Sequence, residues 1–116
     1  LKNKKFDCSE GSQIRNFLYI NDFINAVYKC LKIKPNRKII NLGSKKSYTV
    51  KHVINKIVKI CKGGKPNYGV FKLRKDEPMR LYPSLKNAKK YLNWSSSINL
   101  NTGLVKTMSF YKRYVK

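Results

Sequence analysis

The sequence predicts an α/β fold. Short runs of branched and aromatic residues alternate with segments whose apolar residues recur at helical spacing. Gly, Pro and Asn punctuate the runs. With 41% hydrophobic and 12% aromatic residues, the 116-residue chain can build a core, which argues against disorder along its whole length.

The first strand is expected at residues 15–20, Arg-Asn-Phe-Leu-Tyr-Ile, after the turn residues Gly11 and Ser12. Asn21 and Asp22 then offer side-chain caps for a helix. Ile24, Val27, Tyr28 and Leu31 carry that helix to about Lys34, where Pro35 and Asn36 stop it. Residues Lys38–Leu42 read as a second strand closed by Gly43 and Ser44. Ser47 or Thr49 opens a second helix with Val50, Val53, Ile54, Ile57 and Ile60 or Cys61 on one face. Gly63 and Gly64 end it. Tyr68–Leu73 is a third strand candidate, and Pro78–Pro83 a loop or extended segment. Ser84 starts a third helix with Leu85, Ala88 and Leu92 inward. After Trp94 and the Ser95–Ser97 run, a last helix covers about 98–114, with Leu104, Val105, Met108 and Tyr111 on one stripe. The expected content is about three short strands and four helices. Three strands are few for an independent sheet, and the chain opens on Leu1. Both suggest a portion of a longer protein.

There are 27 Lys and Arg against 5 Asp and Glu, a formal charge of +22. Such a balance suits an anionic partner: nucleic acid, an acidic surface or a phosphorylated ligand. The lysines run from Lys2 to Lys116, and they rise together with Asn and Ile, as AT-rich coding DNA produces. Part of the charge is therefore expected to be compositional, spread over solvated faces. No apolar run exceeds the four residues Phe17–Ile20, which excludes a membrane-spanning helix and the core of a signal peptide.

Cys8, Cys30 and Cys61 form no CxxC, and His52 is the only histidine, so no metal site is expected. The odd cysteine count fits a reducing cytoplasm. Cys30 and Cys61 read as small buried hydrophobes. His52 reads as a surface or capping residue.

Gly11-Ser12-Gln13-Ile14-Arg15-Asn16-Phe17-Leu18-Tyr19-Ile20-Asn21-Asp22 resembles the G-x-Q-x-R-D-F-x-Y-V-x-D segment of extended short-chain dehydrogenases/reductases, the NAD(P)-dependent sugar-nucleotide epimerases, dehydratases and reductases. Ile40–Ser44 with Ser47–Val50 resembles their N-[IL]-G-S/T turn into a helix. Arg74-Lys75-Asp76-Glu77-Pro78 resembles their R-x-x-E/D-P loop, Leu85–Trp94 their third helix here, and Gly103-Leu104 with Thr107 and Phe110-Tyr111 their closing helix. The five segments stand in family order from about residue 11 to 112. Asn16 and Ser84 depart from the family, standing where it usually has Asp.

The resemblance implies that residues 1–116 are a single partial domain, the family's C-terminal substrate-binding region without most of the Rossmann sheet. No G-x-x-G-x-x-G follows a strand, so NAD or NADP is expected in the parent enzyme and none on this piece alone. The family's catalytic Tyr-x-x-x-Lys is expected before residue 1. Tyr28/Lys32, Tyr68/Lys72 and Tyr82/Lys86 fit the spacing by chance, given eight Tyr and so many lysines. No catalytic residue is assigned, and the piece is not expected to act alone.

Carried over by motif, Arg15 and Arg74 are the arginines that clamp the substrate's diphosphate. A planar guanidinium can donate paired hydrogen bonds to phosphate oxygens and keeps its charge. Arg80, Tyr82 and Gly43 are further candidates for substrate contact. The implied partners are a nucleotide-diphosphate sugar and an N-terminal Rossmann portion, with no membrane, in the cytoplasm. Asp22 reads as structural, Trp94 as a core anchor, and Gly43 as a site of close backbone approach or positive φ. Two alternatives stand beside this reading. One is a small basic RNA- or DNA-binding module, with eight Tyr, five Phe and one Trp available for stacking. The other is a non-functional truncated remnant with exposed apolar surface.

Overall fold

The computed structural model describes residues 3–36 and 38–114. Nine elements follow one another: β1 (Lys5–Asp7), β2 (Ile14–Asn16), α1 (Ile20–Ile33), β3 (Ser47–Thr49), α2 (Val50–Cys61), β4 (Lys65–Asn67), β5 (Arg80–Leu81), α3 (Lys86–Leu92) and α4 (Leu100–Tyr114). The architecture is mixed α/β, as expected, with the four expected helices but with strands shorter and differently placed.

The strands form two small sheets. β1 and β4 pair in parallel, and β2 lies between antiparallel β3 and parallel β5. The expected strand over 15–20 shrinks to Ile14–Asn16 because its ladder ends at the Asn16–Ser47 and Arg15–Leu81 pairs. Phe17, Leu18 and Tyr19 leave the sheet, and Ile20 opens α1. Tyr68–Leu73 is turns and bends, not a strand. The preceding Lys65–Asn67 pairs instead, with Lys5–Asp7, a partner 60 residues away that carried no strand signal. Pro78–Pro83 contains β5 within its extended course.

Lys38–Leu42, expected as a strand, has no ladder partner among the described residues. Its alternation survives in the packing. Ile40 and Leu42 lie against the core cluster of Ala26, Ala88, Leu92 and Trp94, while Ile39 is 81% exposed.

Helix starts also differ from the expected caps. The N-cap of α1 is Tyr19, without a side-chain bond, and α3 starts at Lys86 behind Leu85. Ser84 therefore caps nothing. α2 keeps its cap: the Thr49 hydroxyl accepts the His52 N–H at 3.2 Å. Its end matches the expected glycines, with Lys62 in the left-handed region and Gly63 N–H donating to Val58 O. α4 begins at Leu100, where Asn99 Oδ1 accepts the Thr102 N–H.

Trp94 is buried as expected, whereas Cys30 and Cys61 are only partly buried and Cys8 is the buried thiol. Among the described residues no helix is long and apolar enough to cross a membrane. The molecule measures 48 × 39 × 18 Å, a thin slab about two layers deep.

Candidate functional site

Arg15 lies at the centre of β2, opposite Tyr48 of β3 and Leu81 of β5. Its Nη1 donates to Ile14 O and Pro78 O, each at 2.8 Å. Its Nη2 is ion-paired with Glu77 Oε1. The other carboxylate oxygen of Glu77 accepts from Arg74, at 3.4 Å from Nε and 3.3 Å from Nη2. A backbone turn, Glu77 N–H to Arg74 O at 3.1 Å, sets that spacing.

Two guanidinium groups thus share one carboxylate, leaving the cluster with one surplus positive charge. Their exposures differ. The Arg15 side chain is 21% accessible and that of Glu77 14%, whereas Arg74 is 82% accessible. Arg15 already spends part of its donor fork inside the protein, and Arg74 reaches into solvent.

The other sequence candidates fall around this cluster unequally. Arg80 is the register partner of Ile14, so the pleat directs it to the face opposite Arg15. Tyr82 is 60% exposed just beyond β5. Gly43 is buried, and a Cβ there would overlap Pro83 Cγ and lie 2.7 Å from Asn16 Oδ1. Its φ is not positive, so close approach is the operative reason for glycine.

Sequence reasoning missed two linking residues. Glu77 is the hub that holds both Arg15 and Arg74. Its signal was present: an acid three residues after Arg74, inside the R-x-x-E-P loop. Asn16 does something a carboxylate could not, since it both donates and accepts. Its Nδ2 donates to Ser44 O and Ser47 Oγ at 2.9 and 3.1 Å, while Oδ1 accepts the Ser44 N–H at 2.7 Å. This ties the loop between Gly43 and Ser47 to β2.

Asp22 is buried and braces the other side of the molecule. It accepts the Ile98 N–H at 2.9 Å, the Ser97 hydroxyl at 2.7 Å and the Ser97 N–H at 3.1 Å. Burial opposes its charge, but those hydrogen bonds, with the Lys106 charge behind them, outweigh burial and hold its pKa below the ordinary 3.8. It does not cap its own helix, as the sequence had suggested; it fastens α1 to the segment entering α4.

Of the three Tyr-x-x-x-Lys matches, Tyr28 carries the Lys32 ammonium 4.8 Å from its ring centre. Tyr68 has its pKa raised, by burial first and the nearby Cys8 second, and its hydroxyl donates to Asn55 Oδ1 at 2.6 Å. That is opposite to what a phenolate base needs. Among the described residues no three His, Cys, Asp or Glu side chains cluster in a way that could hold a metal ion. No described strand enters a helix through a glycine turn, since β2 leads into α1 by Phe17-Leu18-Tyr19 and β3 runs directly into α2. The residues present therefore do not fit a dinucleotide cradle.

No family model matches the chain. It is 31% identical over 110 residues to the CDP-abequose synthase of Salmonella muenchen, a match covering 92% of this chain and 37% of that protein. It is 29% identical to the UDP-glucuronate 4-epimerase of Thermodesulfobacterium geofontis, over 92% of this chain and 33% of that one. The fold superimposes with a TM-score of 0.83 on a variant UDP-glucuronic acid 4-epimerase from Bacillus cereus, solved with UDP-4-deoxy-4-fluoro-glucuronic acid and NAD. That match is 26% identical and covers 96% of this chain and 36% of the other. The chain thus spans about a third of the length of these two relatives.

Proposed function

We propose that the chain, as a member of the extended short-chain dehydrogenases/reductases, is a C-terminal portion and the nucleotide-sugar-binding part of an NAD(P)-dependent sugar-nucleotide epimerase, dehydratase or reductase. The observation that carries this reading is the convergence of Arg15 and Arg74 on one carboxylate. An anion arriving beside Glu77 meets two guanidinium groups whose charge a single acid only half neutralises.

The two arginines divide the work. Arg15, clipped to Glu77 and Pro78, holds the 74–78 loop against β2 and offers its remaining N–H groups to one phosphate. Arg74, mostly in solvent, closes on the diphosphate from the loop side. Arg80, Tyr82 and Gly43 remain secondary candidates, with Gly43 acting through loop geometry. Binding the remote diphosphate positions the sugar, so that binding energy lowers the barrier at the reacting carbon. The hydride chemistry of NAD or NADP belongs to the part of the parent enzyme that carries the cofactor, and no residue of this chain is assigned a step in it.

The test is titration of UDP and CDP into the chain, followed by calorimetry. Arg74→Ala should weaken binding by roughly 10- to 100-fold, the loss of a charge-assisted hydrogen bond worth about 1.5–3 kcal/mol. Undiminished binding by Arg74→Ala, or no binding of either nucleotide, would reject the clamp.

A further inference from the structure

The loop after Gly43 and the segment entering α4 enclose a cavity of about 260 Å³. The loop and β3 supply Lys45, Lys46 and Tyr48, and the other segment supplies Ser96, Asn99 and Leu100. None of Arg15, Arg74 and Glu77 lines it, so it is separate from the arginine cluster. Pockets for drug-sized ligands run to roughly 300–1,000 Å³. This smaller one suits an ion or a small phosphorylated molecule rather than a nucleotide sugar.

Ser96 is the unusual member. It is 5% exposed, and its hydroxyl makes no hydrogen bond to any described residue. Among the described residues only Gln13 Oε1 is a buried side-chain oxygen sealed off without a partner. The Ser96 Oγ therefore keeps an opening, and the cavity is the opening that Ser96 lines. A hydroxyl so deeply buried and unpaired costs free energy, which an acceptor in the cavity would recover.

The start of α4 adds more free donors. This helix runs for 15 residues and has no acid in its first turn. Asn99 takes the Thr102 N–H on Oδ1 and the Gly103 N–H on its carbonyl, each at 2.9 Å. The N–H groups of Leu100 and Asn101 have no acceptor among the described residues. They stand at the positive end of the helix dipole, where an anion is stabilised.

Across the cavity, Lys45 and Lys46 bring two positive charges. The ion pairs among the described residues both belong to Glu77, so neither lysine is neutralised by an acid there. Their loop is held in place. The Asn16 side chain grips Ser44 and Ser47, and the Ser44 hydroxyl donates to Lys46 O at 2.6 Å. The Tyr48 ring stacks on His52, with centres 5.2 Å apart. The acid behind the opposite wall is Asp22, whose carboxylate is already taken up by Ser97 and Ile98.

We propose that this cavity binds a phosphate group as its dianion, held by the Ser96 hydroxyl, the Leu100 and Asn101 N–H groups and the ammonium groups of Lys45 and Lys46. Phosphate is the chemistry that matches, because several acceptor oxygens on one centre can take donors arriving from both sides. The site does not depend on the arginine clamp. Tyr48 is the register partner of Arg15, so the two sites share the β2–β3 ladder but no phosphate-holding residue.

The experiment titrates inorganic phosphate, and separately glycerol 3-phosphate, into the isotope-labelled chain at neutral pH and constant ionic strength, and follows the backbone amides by NMR. The amides of Ser96, Leu100 and Asn101 should shift together and saturate. Ser96→Ala should weaken binding about tenfold without lowering Tm, since the hydroxyl it removes has no partner in the unliganded fold. Lys45→Ala/Lys46→Ala should weaken it by at least ~10-fold. Lys59→Ala/Lys112→Ala, which removes two lysines that do not line the cavity, should leave it unchanged. Equal losses from the two double variants, or shifts spread over the basic surface without saturation, overturn the proposal in favour of a general polyanion surface. Saturable shifts confined to the neighbourhood of Arg15 and Arg74 overturn it as well. So does a Ser96→Ala variant that loses Tm and keeps its phosphate affinity, because the hydroxyl is then structural. Glycerol 3-phosphate binding at least ~10-fold tighter than phosphate assigns the site to a phosphorylated small molecule, and equal binding assigns it to the free ion. A chain that gives the Ser96 titration but binds neither UDP nor CDP rejects the arginine clamp and leaves this site standing.

Discussion

Asp22 shows how far one residue's environment departs from its sequence neighbourhood. Beside Asn21 at a helix start it reads as a cap. In the structure its carboxylate reaches 75 positions along the chain to Ser97 and Ile98. Because its folded pKa lies below the ordinary 3.8, the stabilisation it supplies is complete above that value and fades as pH falls through the lower folded one. Asp22→Asn should cost about 1–3 kcal/mol at neutral pH, since an amide that donates as well as accepts cannot satisfy three donors. It should also flatten the acid limb of stability below pH 4, as read by urea titration at several pH values. A variant as acid-sensitive as the parent would contradict this. Glu77 makes the same point: its type and its distance from Arg74 were visible in the sequence, but its contact with Arg15 was not.

At the scale of elements, helices were legible and strands were not. α1, α2 and α4 declare themselves through 3.6-residue periodicity, which one segment carries by itself. The strands here are two or three residues long and exist only where a distant segment supplies a ladder. Lys5–Asp7 is strand because Lys65–Asn67 lies beside it, whereas Lys38–Leu42, with the stronger signal, lacks a ladder partner among the described residues. Loops are held by specific fits. Gly43 passes so close to Pro83 and Asn16 that Gly43→Ala must push β2, β5 or the Ser44–Ser47 loop apart. The expected cost is about 1–3 kcal/mol, as for overpacking a filled site. Chemical denaturation checks the cost, and it should be accompanied by weaker UDP binding, because Arg15 lies on β2 and Arg74 is tied to it through Glu77.

The whole molecule is a basic slab with few buried side chains. The described residues carry two ion pairs, both on Glu77, so most of the +22 charge lies free over the surface. Such a surface should hold oligonucleotides loosely, with affinity falling by several orders of magnitude between low and moderate salt. Binding of UDP through two arginines should change far less over the same range. Equal salt slopes for the two ligands, measured by fluorescence anisotropy and calorimetry, would point back to a general polyanion surface and away from a built phosphate site.

From the sequence alone came the α/β class, the four helices, the buried Trp94, the two arginines proposed for the clamp and the resemblance to the sugar-nucleotide enzymes. All of these rest on local periodicity or on residue type at a fixed spacing, which a linear string preserves. Only the tertiary structure decided which segments pair as strands, that Glu77 joins Arg15 to Arg74, that Arg80 faces away from them, and that the loop after Gly43 and the entry to α4 enclose one cavity. Each of these depends on contacts between residues tens of positions apart, and the energy of such contacts is set by which surfaces meet, not by the residues flanking them in the chain.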